Sequence, residues 1–133
     1  MTATDKPIES EGATPFHRSL GLRWLNGDDG SVIVELDIHD EIRGPVGSLE
    51  GGVVSTLVDV AGASAAAMAM QSMVATADMT IKFLAPGRVG PVRATGVPLR
   101  VGSDSAVVEV KVIDTGKDDR LMATGLLTIR ALR

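Results

Sequence analysis

Residues 44–70, GPVGSLEGGVVSTLVDVAGASAAAMAM, constrain the fold more than any other part of the chain. The last twenty residues of this stretch, Gly51 to Met70, predict a single helix that begins at a Gly-Gly pair. Asp59 is the only charged residue between Glu50 and Asp78. A helix that is apolar nearly all round is buried, and a carboxylate inside it needs a partner or a function. Any fold for this chain therefore has to enclose the helix and account for Asp59.

The residues around Asp59 on the predicted helix are small or hydroxylated. At 100° per residue, the positions within about 60° of Asp59 are Gly52, Ser55, Thr56, Gly62, Ala63 and Ala66. Bulky residues such as Leu57 and Val60 lie off that face. The pattern predicts space beside the acid in which a ligand binds. The alternative is that Asp59 only hydrogen-bonds Ser55, Thr56 or a backbone group across a tight interface.

Length, charge and composition exclude several classes of protein. The 133 residues are enough for one domain, which we expect over 13–133 after a flexible tail at 1–12. A net charge of −4 without runs of Lys or Arg argues against binding to nucleic acid. The chain has no cysteine, and neither His17 nor His39 has a second ligand at a metal-binding spacing. We therefore predict no metal and no cofactor, and expect both histidines to be surface or capped residues.

Residues 53–70 are apolar over a length that raises the question of a membrane span. Asp59, the hydroxylated residues, the many alanines and the lack of a basic flank argue against one. The first residues, MTATDKPIESEG, lack the basic and apolar regions of a signal peptide. We expect a cytoplasmic protein that does not enter a membrane.

The remaining sequence predicts one short helix and six strands. Thr14-Pro15 is typical of a helix start, so Phe16 to Ser19 is expected to be helical. Strands are predicted at 20–26, 31–38, 74–84, 91–101, 105–114 and 120–132, with the first two forming a hairpin and 40–49 an irregular loop. Along 74–84, alternation places Ala77, Met79, Ile81 and Phe83 on one face and Thr76, Asp78, Thr80 and Lys82 on the other.

This order of elements predicts an α+β fold in which a curved antiparallel sheet wraps one long central helix. The apolar faces of the strands need a cover, and only one long helix exists to provide it. The Ala and Gly residues of the helix fit this arrangement, since large side chains would hold the sheet away.

The layout, with Gly51-Gly52 at the helix start and Asp59 two turns later, resembles the hotdog fold. Within that fold the chain is most similar to acyl-CoA thioesterases of the phenylacetate-pathway (PaaI) type, from about Phe16 to the C-terminus. Residues 76–79, Thr-Ala-Asp-Met, and the turn at 83–87, Phe-Leu-Ala-Pro-Gly, support the resemblance. It implies hydrolysis of an acyl-CoA thioester by a homodimer, often paired into a homotetramer, with sites at the subunit interface.

Two positions depart from the pattern of that family. Its members usually carry His immediately before the Gly-Gly pair, where this chain has Glu50. They often carry Asn or Gln six residues before that His, where this chain has Gly44. A carboxylate at a helix N-terminus is favoured by the helix dipole, but it would oppose negative charge developing on a thioester oxygen. We keep Glu50 as a candidate catalytic residue and Gly44 as a candidate substrate-binding residue.

The resemblance implies a role for three further residues. The backbone N–H of Gly51 would donate to the oxyanion, and Asp59 would act as general base or as nucleophile. Thr76 would position the water or the carboxylate by hydrogen bonding. Gly51 and Asp59 are eight residues apart, or about 12 Å along one helix. A shared site therefore needs Gly51 of one subunit beside Asp59 and Thr76 of another.

Substrate contacts are predicted on both sides of this centre. Gly52 allows close approach of the substrate to the helix, and the aliphatic residues Val54, Leu57, Val58 and Met79 are candidates for the acyl pocket. Arg88, directly after Pro86-Gly87, is the first candidate to meet the coenzyme A phosphates. Lys82, Arg93 and Arg100 are further candidates, and each basic residue has the alternative of being a solvated charge.

Other functions remain open at this stage. A binding protein of the same fold that holds an acyl-CoA without hydrolysing it is favoured by Glu50 and Gly44. A related hydratase or dehydratase would need a catalytic His and acid before the helix, and this pattern is missing. An interaction module leaves Asp59 without a use. Serine hydrolase chemistry has no support because Gly-x-Ser-x-Gly is absent.

Overall fold

The strands form one antiparallel sheet, and the long helix packs along one face of it. The computed structural model describes residues 13–132 and the backbone of Pro7–Ile8. Its helices are α1 (Pro15–Leu20) and α2 (Gly51–Met70). The described strands are β1 (Pro7–Ile8), β2 (Arg23–Asn26), β3 (Val32–Leu36), β4 (Val74–Phe83), β5 (Val92–Val101), β6 (Ser105–Asp114) and β7 (Arg120–Ala131). They pair in the order β1-β2-β3-β5-β6-β7-β4, with short 3-10 turns at Asp40–Ile42 and Thr115–Lys117.

The predicted elements are present, and one boundary differs by three residues. The predicted strand at 20–26 begins only at Arg23, because α1 continues to Leu20. Gly21, in the left-handed conformation with φ of 74°, ends that helix and donates to the carbonyls of His17 and Arg18. Of the predicted tail, Pro7 and Ile8 pair with β2, and residues 1–6 and 9–12 lie outside the described residues.

The central helix is the core of the molecule. α2 contacts β3, β4, β5, β6 and β7. Its residues Leu57, Val58, Ala61, Ala65 and Ala66 are fully buried. By length and composition α2 would also be capable of crossing a membrane, but core helices of soluble proteins share these properties. This is the hotdog fold, and the predicted α+β architecture with one central helix in a curved antiparallel sheet is confirmed.

Three glycines allow α2 and the sheet to approach closely. A Cβ at Gly96 of β5 would lie 2.5 Å from the carbonyl oxygen of Ala61 in α2. A Cβ at Gly125 of β7 would lie 2.5 Å from Cγ1 of Val58, and one at Gly62 of α2 would lie 2.8 Å from Cδ2 of Leu127. Since Gly96 faces helix backbone rather than a mobile side chain, it fixes the distance between helix and sheet.

Substituting Gly96 with alanine is expected to destabilise the fold. The added methyl group must displace α2 from β5, and overpacking of this kind costs about 1–3 kcal/mol. Urea unfolding of Gly96→Ala against the wild type measures the loss. Val97→Ala, next along β5 with its side chain 41% exposed, is the matched control and should cost less than about 1 kcal/mol. Equal losses for both variants would mean that the helix-to-sheet distance is not limiting.

Candidate active site

Asp59 and Thr76 meet across the space between α2 and β4. The Thr76 hydroxyl donates a hydrogen bond of 2.6 Å to Oδ1 of Asp59, and both side chains are partly buried. They line one wall of a cavity of about 650 Å³, which we call the acid pocket. Its other lining residues are His17, Trp24, Val60, Ala63, Ser64, Ala67, Gln71, Ser72, Met73 and Val74.

A β-bulge is what turns Thr76 towards Asp59. Thr76 pairs with Ile129 and Asp78 pairs with Thr128, so Ala77 is an extra residue in β4. Beyond it, Met79 pairs with Leu127. Because directly opposed residues share a face, Thr76 lies on the same, helix-facing side as Met79, Ile81 and Phe83. The simple alternation expected for this strand, which put Thr76 on the opposite side from Met79, was wrong at the bulge.

The hydroxyl groups next to Asp59 on α2 do not bind it. Ser55 donates to the carbonyl of Gly51 at 3.0 Å, and Thr56 donates to the carbonyl of Gly52 at 2.9 Å. The alternative in which Asp59 is held by these two hydroxyls is therefore contradicted. One oxygen of Asp59 accepts from Thr76, and the carboxylate also lines the acid pocket, where a water or substrate carbonyl has access.

The space beside Asp59 is displaced to one side of the helix compared with the helical-wheel prediction. Gly62 and Ala66, expected next to the open space, are buried, and Gly62 faces Leu127 of the sheet. Val60, expected to pack elsewhere, lines the pocket together with Ala63. The small residues of α2 therefore serve both close packing and the cavity, on neighbouring faces.

Gly51 lies in a second cavity, at the N-terminal end of α2. This cavity of about 380 Å³, the turn pocket, is lined by Ser48, Leu49, Gly51, Val54, Phe83, Leu84, Ala85, Pro86, Gly87 and Met122. The N–H groups of Gly51 and Gly52 have no hydrogen-bond acceptor among the described residues. They are the first N–H groups of α2, which are left free by the geometry of every helix start. The two pockets share no lining residue.

Glu50 and Gly44, the two departures from the family pattern, lie against each other. A Cβ at Gly44 would lie 3.2 Å from Oε2 of Glu50, so the carboxylate extends back over the 44–50 loop. Glu50 is exposed and its side chain makes no capping hydrogen bond to α2. Its backbone N–H donates to the carbonyl of Ile42 at 2.9 Å, which fixes the loop at the helix start.

The predicted acyl-pocket residues separate into three environments. Val54 lines the turn pocket next to Gly51. Leu57 and Val58 are fully buried and contact neither pocket, so they pack the core, contrary to the prediction. Met79 is 38% exposed on β4 and lines neither pocket within a single chain.

The candidate cations also differ in their surroundings. Arg93 donates to Glu35 at 2.6 Å, so its charge is already paired with a carboxylate on the neighbouring strand. Arg88 is exposed, and its side chain makes no ion pair with the described residues. It directly follows Gly87 of the turn pocket. Lys82 and Arg100 are exposed as well. In the part of the chain that the structure describes, no cluster of acidic and histidine side chains is arranged to hold a metal ion.

Asp114, which the sequence analysis did not single out, holds the turn that lines the second pocket. Its side chain is fully buried at the end of β6. It accepts hydrogen bonds from the backbone N–H groups of Arg88 at 2.8 Å, Val89 at 3.1 Å and Gly90 at 2.7 Å. Burial alone would raise the pKa of this carboxyl group. The hydrogen bonds from these N–H groups and from that of Gly116 lower the pKa by more than burial raises it, so the pKa lies below its ordinary value of 3.8.

His17 and Trp24 were not predicted to belong to the site, but both line the acid pocket. His17 also forms a reciprocal capping box with Thr14 at the start of α1, which the sequence analysis did not predict. The hydrogen bond from Trp24 to Ser64 joins β2 to α2. No local pattern brings 17, 24 and 59 together, since the contact depends on how α1 folds over the helix.

The comparisons with known proteins agree with this geometry. The family model of the thioesterase superfamily matches residues 46–120, which include Glu50, Gly51, Asp59 and Thr76. The chain belongs to the thioesterase superfamily. Its membership supports thioester hydrolysis as the general activity.

Proteins from several organisms are similar to this chain in sequence or in structure. The chain is 26% identical over 116 residues to a 1,4-dihydroxy-2-naphthoyl-CoA hydrolase of Listeria monocytogenes, covering 86% of this chain and 93% of that protein. It is 29% identical over 110 residues to human acyl-coenzyme A thioesterase 13, covering 79% of each. The PaaI structure of E. coli superimposes with a TM-score of 0.82 at 21% identity, covering 90% of this chain and 86% of that one, which shows the shared fold.

Replacing Asp114 with asparagine should loosen the 84–90 turn and reduce stability in a pH-dependent way. The variant loses charge-assisted hydrogen bonds to three backbone N–H groups, which we expect to cost about 2–3 kcal/mol at neutral pH. Because the folded-state pKa is lowered, the wild-type advantage is fully present above the ordinary value of 3.8. It should disappear as the pH falls through the lower folded-state pKa. Urea unfolding of both proteins at about pH 7 and at stepwise lower pH measures this difference, and a constant difference would contradict it.

Proposed function

We propose that the protein hydrolyses the thioester bond of an acyl-CoA. The observation that carries this proposal is the hydrogen bond from Thr76 to Asp59 at the wall of the acid pocket. A carboxylate that is oriented by one hydroxyl and open to a cavity is suited to act as general base or nucleophile. The names of the Listeria and human relatives support coenzyme A thioesters as the substrate class.

In the proposed reaction, Asp59 removes a proton from water while the water oxygen attacks the thioester carbonyl carbon. Thr76 holds the carboxylate in the required orientation. The free N–H of Gly51 donates to the carbonyl oxygen as it becomes negatively charged. Collapse of the tetrahedral intermediate breaks the C–S bond and releases the carboxylic acid. The proton held by Asp59 passes to the leaving thiolate sulfur, which gives the free thiol of coenzyme A and regenerates the carboxylate. Direct attack by Asp59 would give a mixed anhydride that water then hydrolyses.

The separation of the two pockets supports a site shared between two subunits. Asp59 and Gly51 lie in different cavities of one chain, and the fixed rise of the helix keeps them about 12 Å apart. One carbonyl cannot contact both groups unless a second chain supplies one of them. We therefore propose a homodimer with two equivalent sites, and pairing of dimers into a tetramer.

Arg88 would contact the coenzyme A phosphates beside the turn pocket, and Gly44, Gly52, Val54 and Met79 would border the substrate. We propose a cytoplasmic location, where acyl-CoA is available.

A second candidate function is the binding of an acyl-CoA without hydrolysis. The position of Glu50 favours it, because an exposed carboxylate next to Gly51 places negative charge near the proposed oxyanion donor. If Glu50 acts in catalysis instead, it would do so from its exposed position directly before Gly51. Measurement of thiol release separates these roles.

Asp59→Asn should lower the rate of thiol release from acyl-CoA substrates by about 10²- to 10⁴-fold, the usual contribution of a general base. The matched control is Asp78→Asn, since Asp78 is exposed and two positions beyond Thr76 on the other face of β4. It should retain wild-type turnover. A panel of acyl-CoAs with a thiol-detecting dye gives the rates. Tight acyl-CoA binding without thiol release by the wild type would favour the second candidate, and turnover that survives in Asp59→Asn would contradict the first.

Mixing two inactive variants tests the shared site. Gly51→Pro removes the N–H at the first position of α2, where proline is well tolerated. Glu50 already has φ of −56° and ψ of 134°, which suits a residue before proline. A mixed dimer of Gly51→Pro and Asp59→Asn retains one intact site, so re-equilibrated subunits should recover about a quarter of wild-type activity. Sites built within single subunits would give no recovery on mixing.

A further inference from the structure

The acid pocket extends past Asp59 to three polar or aromatic side chains that the proposed chemistry does not use. His17 comes from α1, Trp24 from β2 and Ser64 from α2, and all three line the pocket. Trp24 contacts both of the other residues. The centre of its ring lies 5.9 Å from that of the His17 ring in an edge-on arrangement, and its Nε1–H donates to Oγ of Ser64 at 3.1 Å. We call these three residues the distal cluster.

The distal cluster presents hydrogen-bond donors without acceptors. Ser64 accepts from Trp24, and its own hydroxyl hydrogen has no acceptor among the described residues. In this it differs from Ser55 and Thr56, which donate to helix carbonyls. His17 accepts the N–H of Thr14 on Nδ1 at 3.2 Å, so the hydrogen of the neutral ring is on Nε2. Nε2–H likewise has no acceptor in the part of the chain that the structure describes.

The spacing of the cluster from Asp59 matches the length of a short acyl group. Ser64 is five residues beyond Asp59 on α2, or about 7.5 Å along the helix axis. The wall between them is apolar or small, formed by Val60 and Ala63. With C–C bonds of about 1.5 Å at tetrahedral angles, an extended chain advances about 1.25 Å per bond. The six bonds from the carbonyl carbon of a six-carbon acyl group to an oxygen on its last carbon therefore span about 7.5 Å.

We propose that the distal cluster selects acyl groups that carry an oxygen acceptor, such as a hydroxyl, at the end remote from the thioester. A bound hydrocarbon end would remove these partly buried donors from water and leave them unpaired, which costs free energy, whereas an oxygen at that point satisfies them. This inference rests on the proposed function, because it places the reacting carbonyl beside Asp59. It deepens that function by assigning His17, Trp24 and Ser64 to substrate specificity.

The test compares hexanoyl-CoA with 6-hydroxyhexanoyl-CoA, which differ only at the distal end. The wild type should have a kcat/KM about five- to tenfold higher for the hydroxylated substrate, the value of one net hydrogen bond. Ser64→Ala should bring this ratio close to one, because it removes one of the proposed donors. His17→Gln, which removes the ring but keeps a side chain that can maintain the capping box, should also lower the ratio. Ser19→Ala is the control, since its hydroxyl donates to Phe16 on α1 and lines neither pocket.

A binding measurement separates failure of this inference from failure of the proposed function. Trp24 is the only tryptophan in the chain and lines the pocket, so its fluorescence reports binding of both thioesters to Asp59→Asn. The inference is supported if Asp59→Asn binds the hydroxylated thioester more tightly than hexanoyl-CoA and the double variant Asp59→Asn/Ser64→Ala does not show this preference. This holds even if the wild type hydrolyses neither compound. Hydrolysis with a ratio near one in the wild type, or a ratio unchanged in Ser64→Ala and His17→Gln, overturns the inference and leaves the hydrolase standing. Absence of both binding and turnover overturns both.

Discussion

The close approach of α2 to the sheet is the constraint on which the rest of the structure depends. At Gly96 the strand has no side chain, and the carbonyl of Ala61 occupies the space that a Cβ would need. Because the helix is held this close, its sheet-facing residues must be small or well fitted, and the sheet has to curve around it. The face that remains uncovered, between α1 and β4, is where the acid pocket opens. Packing and cavity therefore have one cause.

The bulge in β4 and the buried Asp114 prepare the two ends of the site in different ways. The extra residue in the bulge puts Thr76 on the same face of β4 as Met79, so that the Thr76 hydroxyl reaches Asp59. Asp114 instead fixes backbone, since its carboxylate gathers three N–H groups of the turn after Gly87. In the acid pocket the Thr76 hydroxyl orients the Asp59 carboxylate. Next to the turn pocket the buried Asp114 carboxylate fixes the backbone that follows Gly87.

The contact between Glu50 and Gly44 shows that the two departures from the family pattern form a single structural feature. The glutamate carboxylate lies over the loop at a point where a side chain on residue 44 would crowd it, with a Cβ only 3.2 Å away. Glycine at 44 therefore gives the carboxylate room to lie over the loop. Changing either residue alone to the usual family type would therefore alter the surroundings of the other.

Sequence alone determined the elements that depend on local periodicity and turn chemistry. The helix over 51–70, the hairpin of β2 and β3, and the later strands follow from apolar spacing and from Gly-containing turns, which act over a few neighbouring residues. Asp59 was also evident from sequence, because a single charge in an apolar helix is conspicuous. Only the tertiary structure decided the orientation of Thr76, the role of Asp114, and the meeting of His17, Trp24 and Ser64 beside Asp59. Each of these depends on pairing register or on contacts between residues far apart in the chain, which no local pattern records.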